Sequence, residues 1–241
     1  MTDVEHLPGR REDVARYVFV PGDPDRVPRI AERWDEAAHV GSRREYTMWT
    51  GTSSRVRMSA VSTGIGCPST AIAVEELHQL GADTLIRLGT AGAVPDEDLR
   101  SGDLVIASAA IRDEGTTMQY VPPGFPAVAD IDVTFALRDA AADLGIPCRI
   151  GVTQSKDSFY GEIDPDRQPV AARLKQRWAA WQGGGALVSE MEASTLYVVG
   201  QILGLRTSAM VVIAPNDPDQ VTRMLDVGVR AVQLLAERDA D

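Results

Sequence analysis

The chain contains 241 residues, with two cysteines and a formal net charge of −11 at pH 7. This length is enough for one substantial α/β domain. No apolar run approaches the length of a membrane-spanning helix, and no lysine- or arginine-rich run could bind a nucleic-acid backbone, so neither partner is expected. The N-terminal segment lacks the apolar core of a signal peptide, which predicts a cytoplasmic protein. Cys67 and Cys148 lack metal-ligand spacing and are expected to be buried or incidental thiols without a disulfide framework.

In the first half of the chain, short apolar strands alternate with amphipathic helices. Strands are predicted at residues 16–20, 45–50, 55–62 and 84–88. Glycine-rich segments predict turns at residues 51–54 and 89–92. Helices are predicted at residues 25–33 and 69–80, the second of which stops before Gly81.

The second half continues the alternation. Strands are predicted at residues 104–111, 149–153 and 207–213, with a further strand ending near Val188. Helices are predicted at residues 133–144, 170–181 and 191–203, followed by a last helix with Val221, Leu225, Val229 and Val232 on one stripe. Residues 154–169 are predicted to be a polar loop.

This order of elements predicts the fold class. Strands that alternate with helices favour a mixed, largely parallel central sheet flanked by helices on both faces. No repeat or linker interrupts the pattern, so residues 1–241 are expected to form a single domain. Ligands of such sheets bind at the carboxyl ends of the strands.

Three short segments place an arginine or a glutamate beside a glycine-rich turn at a strand end. They are PGDPDR at residues 21–26, RLGTAG at 87–92 and SEMEAST at 189–195. Gly22 would let the backbone approach an anion, and Arg26 lies in the first turn of the helix that follows. Arg87 interrupts an apolar strand, so it either pairs with a buried carboxylate or binds an anion. Because the acidic surface repels phosphate at long range, any anion site must be local and enclosed.

Together with residues 62–81 and 125–130, these segments resemble the uridine phosphorylase branch of the nucleoside phosphorylase family over nearly the whole chain. The resemblance implies reversible cleavage of a ribonucleoside by inorganic phosphate, which yields a free base and ribose 1-phosphate. It implies phosphate as co-substrate and no organic cofactor. It also implies phosphate binding by Gly22, Arg26, Arg87 and Thr90.

The resemblance further implies that two subunits share each active site. Arg44, in the segment REYTMW at residues 44–49, would bind the phosphate of a neighbouring subunit, and His6 would reach that subunit's ribose 5′ hydroxyl. The active unit would then be a dimer, usually assembled into a hexamer. A monovalent cation such as K⁺ would bind at the dimer interface, at Glu45, Ile65 and Ser69.

The segment around Glu192 is the candidate ribose site. The family pattern implies that Glu192 binds the 2′ and 3′ hydroxyls, that Met191 packs under the sugar and that Glu190 contributes beside them. The residues alone also fit an exposed helix start, where acidic side chains are favourable. The candidate catalytic residues are Arg87, Glu192 and Asp217.

The base site departs from the family pattern. Phe159, in DSFY at residues 157–160, would stack on the base or the sugar. Pyrimidine-specific members then place a glutamine and an arginine two residues apart, whereas this chain has Glu162 and Asp164. Arg167 and Gln168 could substitute if the loop folds back. The pair that reads uracil is therefore left open.

Asp217 is the second departure in the base site. Purine-cleaving relatives carry an aspartate near this strand end that protonates N7 of the leaving base, so Asp217 could be a general acid. It could equally be a turn residue in the sequence NDPD. A purine nucleoside phosphorylase therefore remains an alternative, as do a hydrolytic nucleosidase and a nucleoside-binding protein without turnover.

Overall fold

A computed structural model describes residues 3–94, 99–215 and 217–240 of the chain. Within these residues lie ten strands: β1 (Tyr17–Phe19), β2 (Glu36–Arg43), β3 (Tyr46–Ser53), β4 (Val56–Val61), β5 (Thr84–Ala93), β6 (Leu104–Asp113), β7 (Ala127–Val128), β8 (Cys148–Lys156), β9 (Val188–Glu190) and β10 (Arg206–Ile213). The same residues contain seven α-helices: α1 (Arg26–Ala31), α2 (Cys67–Gln79), α3 (Ile131–Asp143), α4 (Phe159–Ile163), α5 (Ala171–Gly183), α6 (Ala193–Ile202) and α7 (Pro218–Arg238). None of these helices is long and apolar enough to cross a membrane.

The strands form one sheet that closes partly on itself. Strands β10, β6, β8, β9 and β5 are neighbours in that order, and β5 also pairs with β10, which closes a five-stranded ring. Strands β1, β4, β3 and β2 extend the sheet outward from β5. Five of the described strand pairs are parallel and five are antiparallel. The sheet is thus mixed, as predicted, with an even balance in place of a parallel majority.

Helices cover both faces of this sheet, and each face has its own apolar core. Apolar side chains of α1, α3 and α7 pack on one face together with Phe19 and Leu88. Side chains of α2 and α6 pack on the other face with Leu85 and Ala107. This arrangement confirms the predicted α/β fold class.

Two predicted turns belong to strands. Residues 89–92 continue β5 as far as Ala93, and residues 51–53 belong to β3, so the turn between β3 and β4 lies at Ser54 and Arg55, both with positive φ. The glycines in these segments let neighbouring groups approach the strand backbone closely, and they do not reverse the chain. A Cβ at Gly51 would clash with the Glu36 carbonyl of β2, and one at Gly89 would lie 2.8 Å from Arg87 Nη2.

The predicted polar loop at residues 154–169 is also partly regular. Strand β8 extends through Lys156, and α4 begins at Phe159 after Ser158, whose hydroxyl accepts a hydrogen bond from Gly161 N. Strand β2 was not predicted, because its residues are mostly exposed and show no burial alternation. β8 and α4 together bring the segment after residue 153 to the carboxyl end of the sheet.

Candidate active site

Arg87 lies at the centre of the candidate site. Its side chain is buried in the middle of β5, where Nε donates to Glu190 Oε2 at 3.0 Å and Nη2 forms an ion pair with Glu192 Oε2. The third nitrogen, Nη1, is buried and has no hydrogen-bond partner among the described residues. One guanidinium therefore holds two carboxylates and still has donors free on one side.

Glu190 holds this arrangement in place. Its two oxygens accept hydrogen bonds from Ser155 Oγ at 2.5 Å and from the backbone N–H groups of Glu192 and Ala193 at 2.9 Å, besides the bond from Arg87. The carboxylate is therefore fully engaged at the junction between β9 and α6. The sequence suggested a ribose contact for Glu190, but these bonds give it the contacts of a residue that orients Arg87.

Arg26 supplies the second guanidinium. Its side chain is buried at the start of α1, and Nη1 donates to the Leu88 carbonyl of β5 at 3.1 Å, whereas Nε has no partner within the described chain. Burial, reinforced by the positive charge of Arg87, lowers the pKa of Arg26 to about 10. Arg26 therefore stays charged at neutral pH. The negative charge of a bound anion would oppose this lowering of the Arg26 pKa.

Gly22 completes the arginine-lined corner. It follows β1, and a Cβ at this position would lie 3.6 Å from Arg87 Nη1 and 3.0 Å from the Gly64 carbonyl. The missing side chain thus leaves space directly beside the free Arg87 nitrogen. Thr90 lies three residues farther along β5 and is half-buried. Four residues predicted to bind phosphate therefore lie on β5 or at segments that contact it.

Glu192 is buried between Arg87 and the start of α2. Its Oε1 accepts a hydrogen bond of 2.6 Å from Gly66 N, and Gly66 has a φ of 100°, a conformation that suits glycine. Burial and the nearby Glu190 charge raise the pKa of Glu192, although the Arg87 charge opposes them. Met191 precedes it, and its carbonyl accepts a hydrogen bond from the buried Cys67 thiol at 3.1 Å.

A surface cleft runs past this loop. Its lining includes Ile65, Gly66, Met191 and Asp157. Asp157 directly precedes the segment that carries Phe159. The cleft therefore connects the Glu192 loop with the predicted base-binding segment.

On the base side, Glu162 lies in a polar cluster that the sequence did not predict. Its Oε2 contacts Lys156 Nζ at 2.7 Å and Ser189 Oγ at 2.6 Å. Phe159 is 50% exposed, and Lys156 Nζ lies 6.0 Å from the centre of its ring. Lys156 was missed because a lysine in a predicted polar loop is usually solvated.

Two other predicted base ligands lie outside this cluster. Arg167 is exposed, forms an ion pair with Asp164 at 3.3 Å and lies 5.7 Å from the ring of Tyr160. Gln168 ends the single 3₁₀ turn at Pro165–Arg167. Neither has a described contact with Glu162 or Lys156, and their role in binding the base stays a prediction.

Asp217 caps helix α7. Its Oδ1 accepts a hydrogen bond from Gln220 N, and Gln220 Oε1 accepts one from Asp217 N, both at 2.9 Å. This reciprocal arrangement satisfies donors at the helix start. The observed contacts are those of the turn and cap interpretation, and the neighbouring Asn216 lies outside the described residues.

His6 and Arg44 have no described contact with the Arg87 cluster of their own chain. His6 Nδ1 contacts Glu76 Oε1 at 2.7 Å, near the far end of α2, about 14 Å along the helix from Cys67 at a rise of about 1.5 Å per residue. Arg44 is exposed at the turn between β2 and β3 and has a φ of 56°. Both positions are compatible with donation to a neighbouring subunit.

Glu45, Ile65 and Ser69 surround Gly64. A Cβ at Gly64 would lie 2.8 Å from Glu45 Cγ and 3.4 Å from Ser69 Oγ, and Ser69 Oγ lies 3.5 Å from the Ile65 carbonyl. The three oxygen-bearing residues predicted to bind a cation thus lie in one small region. The described residues contain no cluster of three or more histidine, cysteine, aspartate or glutamate side chains placed to hold a metal ion.

Comparison with known proteins agrees with this geometry. The model of the phosphorylase superfamily matches residues 16–238. A uridine phosphorylase of Treponema pallidum is 43% identical and covers 99% of this chain and 97% of its own length. A uridine phosphorylase of Thermococcus kodakarensis is also 43% identical, over 98% of this chain and 88% of its own length. A guanosine phosphorylase of Halorubrum lacusprofundi is 37% identical, over 90% of this chain and 85% of its own length. The chain belongs to the phosphorylase superfamily.

Proposed function

We propose that this chain is a nucleoside phosphorylase of the uridine phosphorylase type. It would cleave a ribonucleoside with inorganic phosphate to a free base and ribose 1-phosphate, and would catalyse the reverse reaction. The match to the phosphorylase superfamily and the similarity to two proteins named uridine phosphorylase support this assignment.

The observation that carries the proposal is the pair of unpaired, buried guanidinium nitrogens. Arg26 Nε and Arg87 Nη1 lack partners within the described chain, and Gly22 leaves space beside the second. Leaving buried charged donors unsatisfied costs free energy unless a ligand engages them. A phosphate ion supplies the oxygens that match guanidinium donors.

The neighbouring groups suit the second substrate. The Glu192 carboxylate can accept hydrogen bonds from ribose hydroxyls, since it lies beside Arg87 and directly follows Met191, which lines the cleft. A phosphate oxygen would then form a bond to C1′ while the bond from C1′ to the base nitrogen breaks, and the electron pair of that bond leaves with the base. The sugar passes through an oxocarbenium-like state, which the bound phosphate stabilises.

A purine nucleoside phosphorylase on the same scaffold is the second candidate. The similarity to a guanosine phosphorylase favours it, as does the position of Glu162, which offers a carboxylate near the base site. Asp217 contributes less to this alternative, because its carboxylate caps α7.

A panel of nucleosides assayed with and without phosphate tests the proposal. We expect release of free base that requires phosphate and produces ribose 1-phosphate. Release of base and free ribose without phosphate would identify a hydrolytic nucleosidase instead. Tight nucleoside binding without any product would identify a binding protein.

We further propose that a dimer is the active unit, assembled into a hexamer, and that the enzyme acts in the cytoplasm. The exposure of Arg44 at a hairpin tip supports a shared site. The convergence of Glu45, Ile65 and Ser69 around Gly64 supports a K⁺ site at the interface. Light scattering measures the assembly, comparison of activity in potassium and choline salts tests the cation, and a fluorescent fusion tests the location.

A further inference from the structure

Lys156 and Glu162 form a largely buried ion pair beside the proposed base site. The side chains are 8% and 15% exposed, and Lys156 Nζ lies 2.7 Å from Glu162 Oε2. Lys156 Nζ also donates to Ser189 Oγ at 2.5 Å. Burying an ion pair costs desolvation free energy, so a pair at this place calls for a physical reason.

A hydrogen-bonded network fixes both members of the pair. Ser189 Oγ lies 2.7 Å from Gln154 Oε1, and Gln154 Nε2 donates to Asp113 Oδ2 at 2.6 Å. Trp181 Nε1 donates to the same aspartate oxygen at 3.2 Å. These hydrogen bonds restrict the orientations of Lys156, Glu162 and Ser189.

The pair keeps one acceptor and one donor free. Glu162 uses Oε2 for its contacts with Lys156 and Ser189, and no described residue donates to its Oε1. The ammonium of Lys156 has three N–H groups, of which two serve Glu162 and Ser189. An acceptor oxygen and a donor nitrogen are therefore available side by side.

Their position points at the base. Glu162 Oε1 lies 3.7 Å from the site where a Cβ on Gly92 would stand, and Gly92 is two residues beyond Thr90 on β5. In the pairing of β9 with β5, Ser189 lies opposite Gly92, and Ser189 precedes Glu192 by three residues. On the other side, Lys156 Nζ lies 6.0 Å from the centre of the Phe159 ring.

We propose that Lys156 and Glu162 read the lactam edge of the base, meaning a ring N–H next to a C=O. Glu162 Oε1 would accept the N–H, and Lys156 would donate to the carbonyl oxygen. This inference rests on the proposed phosphorylase function and deepens it. In this proposal, Lys156 and Glu162 replace the glutamine and arginine that pyrimidine-specific members of the family place after the segment at residues 157–160.

The proposal defines a substrate class. Uracil has N3–H beside a carbonyl, and guanine and hypoxanthine have N1–H beside one, so all three fit the pair. Cytosine and adenine present an acceptor nitrogen beside an amino group, which is the opposite pattern. The proposal is thus compatible with similarity to both uridine and guanosine phosphorylases.

The test compares nucleosides that differ only at this edge. The full-length enzyme is assayed with uridine and 3-methyluridine, with inosine and 1-methylinosine, and with cytidine and adenosine. For whichever of uridine and inosine is cleaved, we expect kcat/KM at least about a hundredfold above that of its N-methyl analogue, since a built polar site rejects analogues that leave it unpaired. The Glu162→Leu variant should reduce this ratio to about fivefold or less while the KM for phosphate stays unchanged. The Lys156→Met variant should lower kcat/KM for the lactam nucleosides.

The exposed ion pair between Arg138 and Asp139 provides controls, because both residues lie on α3 and neither lines the cavity that Lys156 and Glu162 share. Arg138→Met and Asp139→Asn should keep the wild-type preference. Equal cleavage of methylated and unmethylated nucleosides, or an unchanged preference in both Glu162→Leu and Lys156→Met, would overturn the proposal.

If a variant does not fold, calorimetry on the wild-type enzyme tests the same proposal. It compares the binding of uracil with that of 3-methyluracil, and the binding of hypoxanthine with that of 1-methylhypoxanthine. Preferential binding of an unmethylated base supports the lactam site, and equal binding within each pair rejects it. These binding measurements do not depend on turnover. The phosphorylase assignment fails if no nucleoside is cleaved in a phosphate-dependent reaction, whereas the base-reading pair fails if methylated and unmethylated bases bind equally.

Discussion

Arg87 forms the buried ion pairs that one interpretation of its sequence context predicts. The other interpretation, anion binding, stays a prediction. Nε and Nη2 contact Glu190 and Glu192, while Nη1 has no described partner and is the nitrogen that a bound anion would engage. The sequence could predict that this residue matters, but only the fold reveals which nitrogen is free.

Substitution of the two buried arginines should separate phosphate binding from stability. Arg26→Met removes a buried charge that has no described carboxylate contact, so we expect loss of phosphate binding with little change in the free energy of unfolding. Arg87→Met leaves two buried carboxylates without their cation, so it should also destabilise the protein, by about 3–5 kcal/mol. Phosphate titration and denaturant unfolding measure the two effects. Normal phosphate binding by Arg26→Met would contradict the site.

The raised pKa of Glu192 predicts how nucleoside binding depends on pH. Burial is the main cause of the shift, and a raised pKa means that the carboxyl takes up its proton at a higher pH than an ordinary glutamate. Nucleoside affinity should therefore weaken on acidification while most exposed carboxylates are still ionised. Calorimetry without phosphate measures this, because it excludes the titration of the phosphate ion. The Glu192→Gln variant should show a weaker affinity that does not change over the same pH range.

At the scale of elements, the sequence predicted six of the seven described helices and most of the buried strands, but not the short helix α4 or the way glycines are used. The segment at residues 89–92 contains two glycines, which normally signal a turn, yet it continues β5 because these residues pair with β10 and β9. The missing side chain of Gly89 leaves space for the Arg87 guanidinium. Polar side chains gave a second false signal. Gln154, Lys156 and Ser189 satisfy one another inside the protein, and such pairing between distant segments has no periodicity that a sequence pattern could show.

Gly89→Ala tests the role of this element. A Cβ at residue 89 would lie 2.9 Å from Arg87 Cζ, so the guanidinium must move while the strand backbone can remain. We expect a loss of kcat/KM of about a hundredfold, as displacement of a positioned group by an ångström can cause, with a smaller change in melting temperature than for Arg87→Met. Gly124→Ala is the control, because a Cβ there meets nothing within 4 Å. Equal activity of the two variants would contradict the explanation.

At the scale of the whole molecule, the active site of one chain is incomplete if Arg44 and His6 act on a neighbour. Their positions follow from the fold, since Arg44 is at a hairpin tip and His6 is held by Glu76 near the far end of α2. A sequence can suggest such sharing only through resemblance. A sequence pattern within one chain does not indicate which of its surfaces contacts a neighbouring subunit.

Mixing two inactive variants tests this sharing. In a dimer of one Arg44→Ala and one Arg87→Ala subunit, one of the two sites keeps both arginines. Random exchange should therefore restore about a quarter of the wild-type activity. Subunit exchange is monitored by mass spectrometry of tagged chains. Proven exchange with no recovery would show that Arg44 does not serve a partner's site.

The pairing of β5 has a consequence for local opening of the protein. This strand is bonded to β1, β10 and β9, whereas α5, which packs beside α4, has no buried residue. Amide protons of β5 should exchange with deuterium only when the whole protein unfolds, and those of α4 and α5 should exchange far sooner through local unfolding. The proposed phosphate site would then belong to the most stable cooperative unit, and α4, which carries the proposed base-binding residues Phe159 and Glu162, to a weaker one. Changes of base preference could in that case accumulate in α4 and α5 at little cost to the folding of the phosphate site.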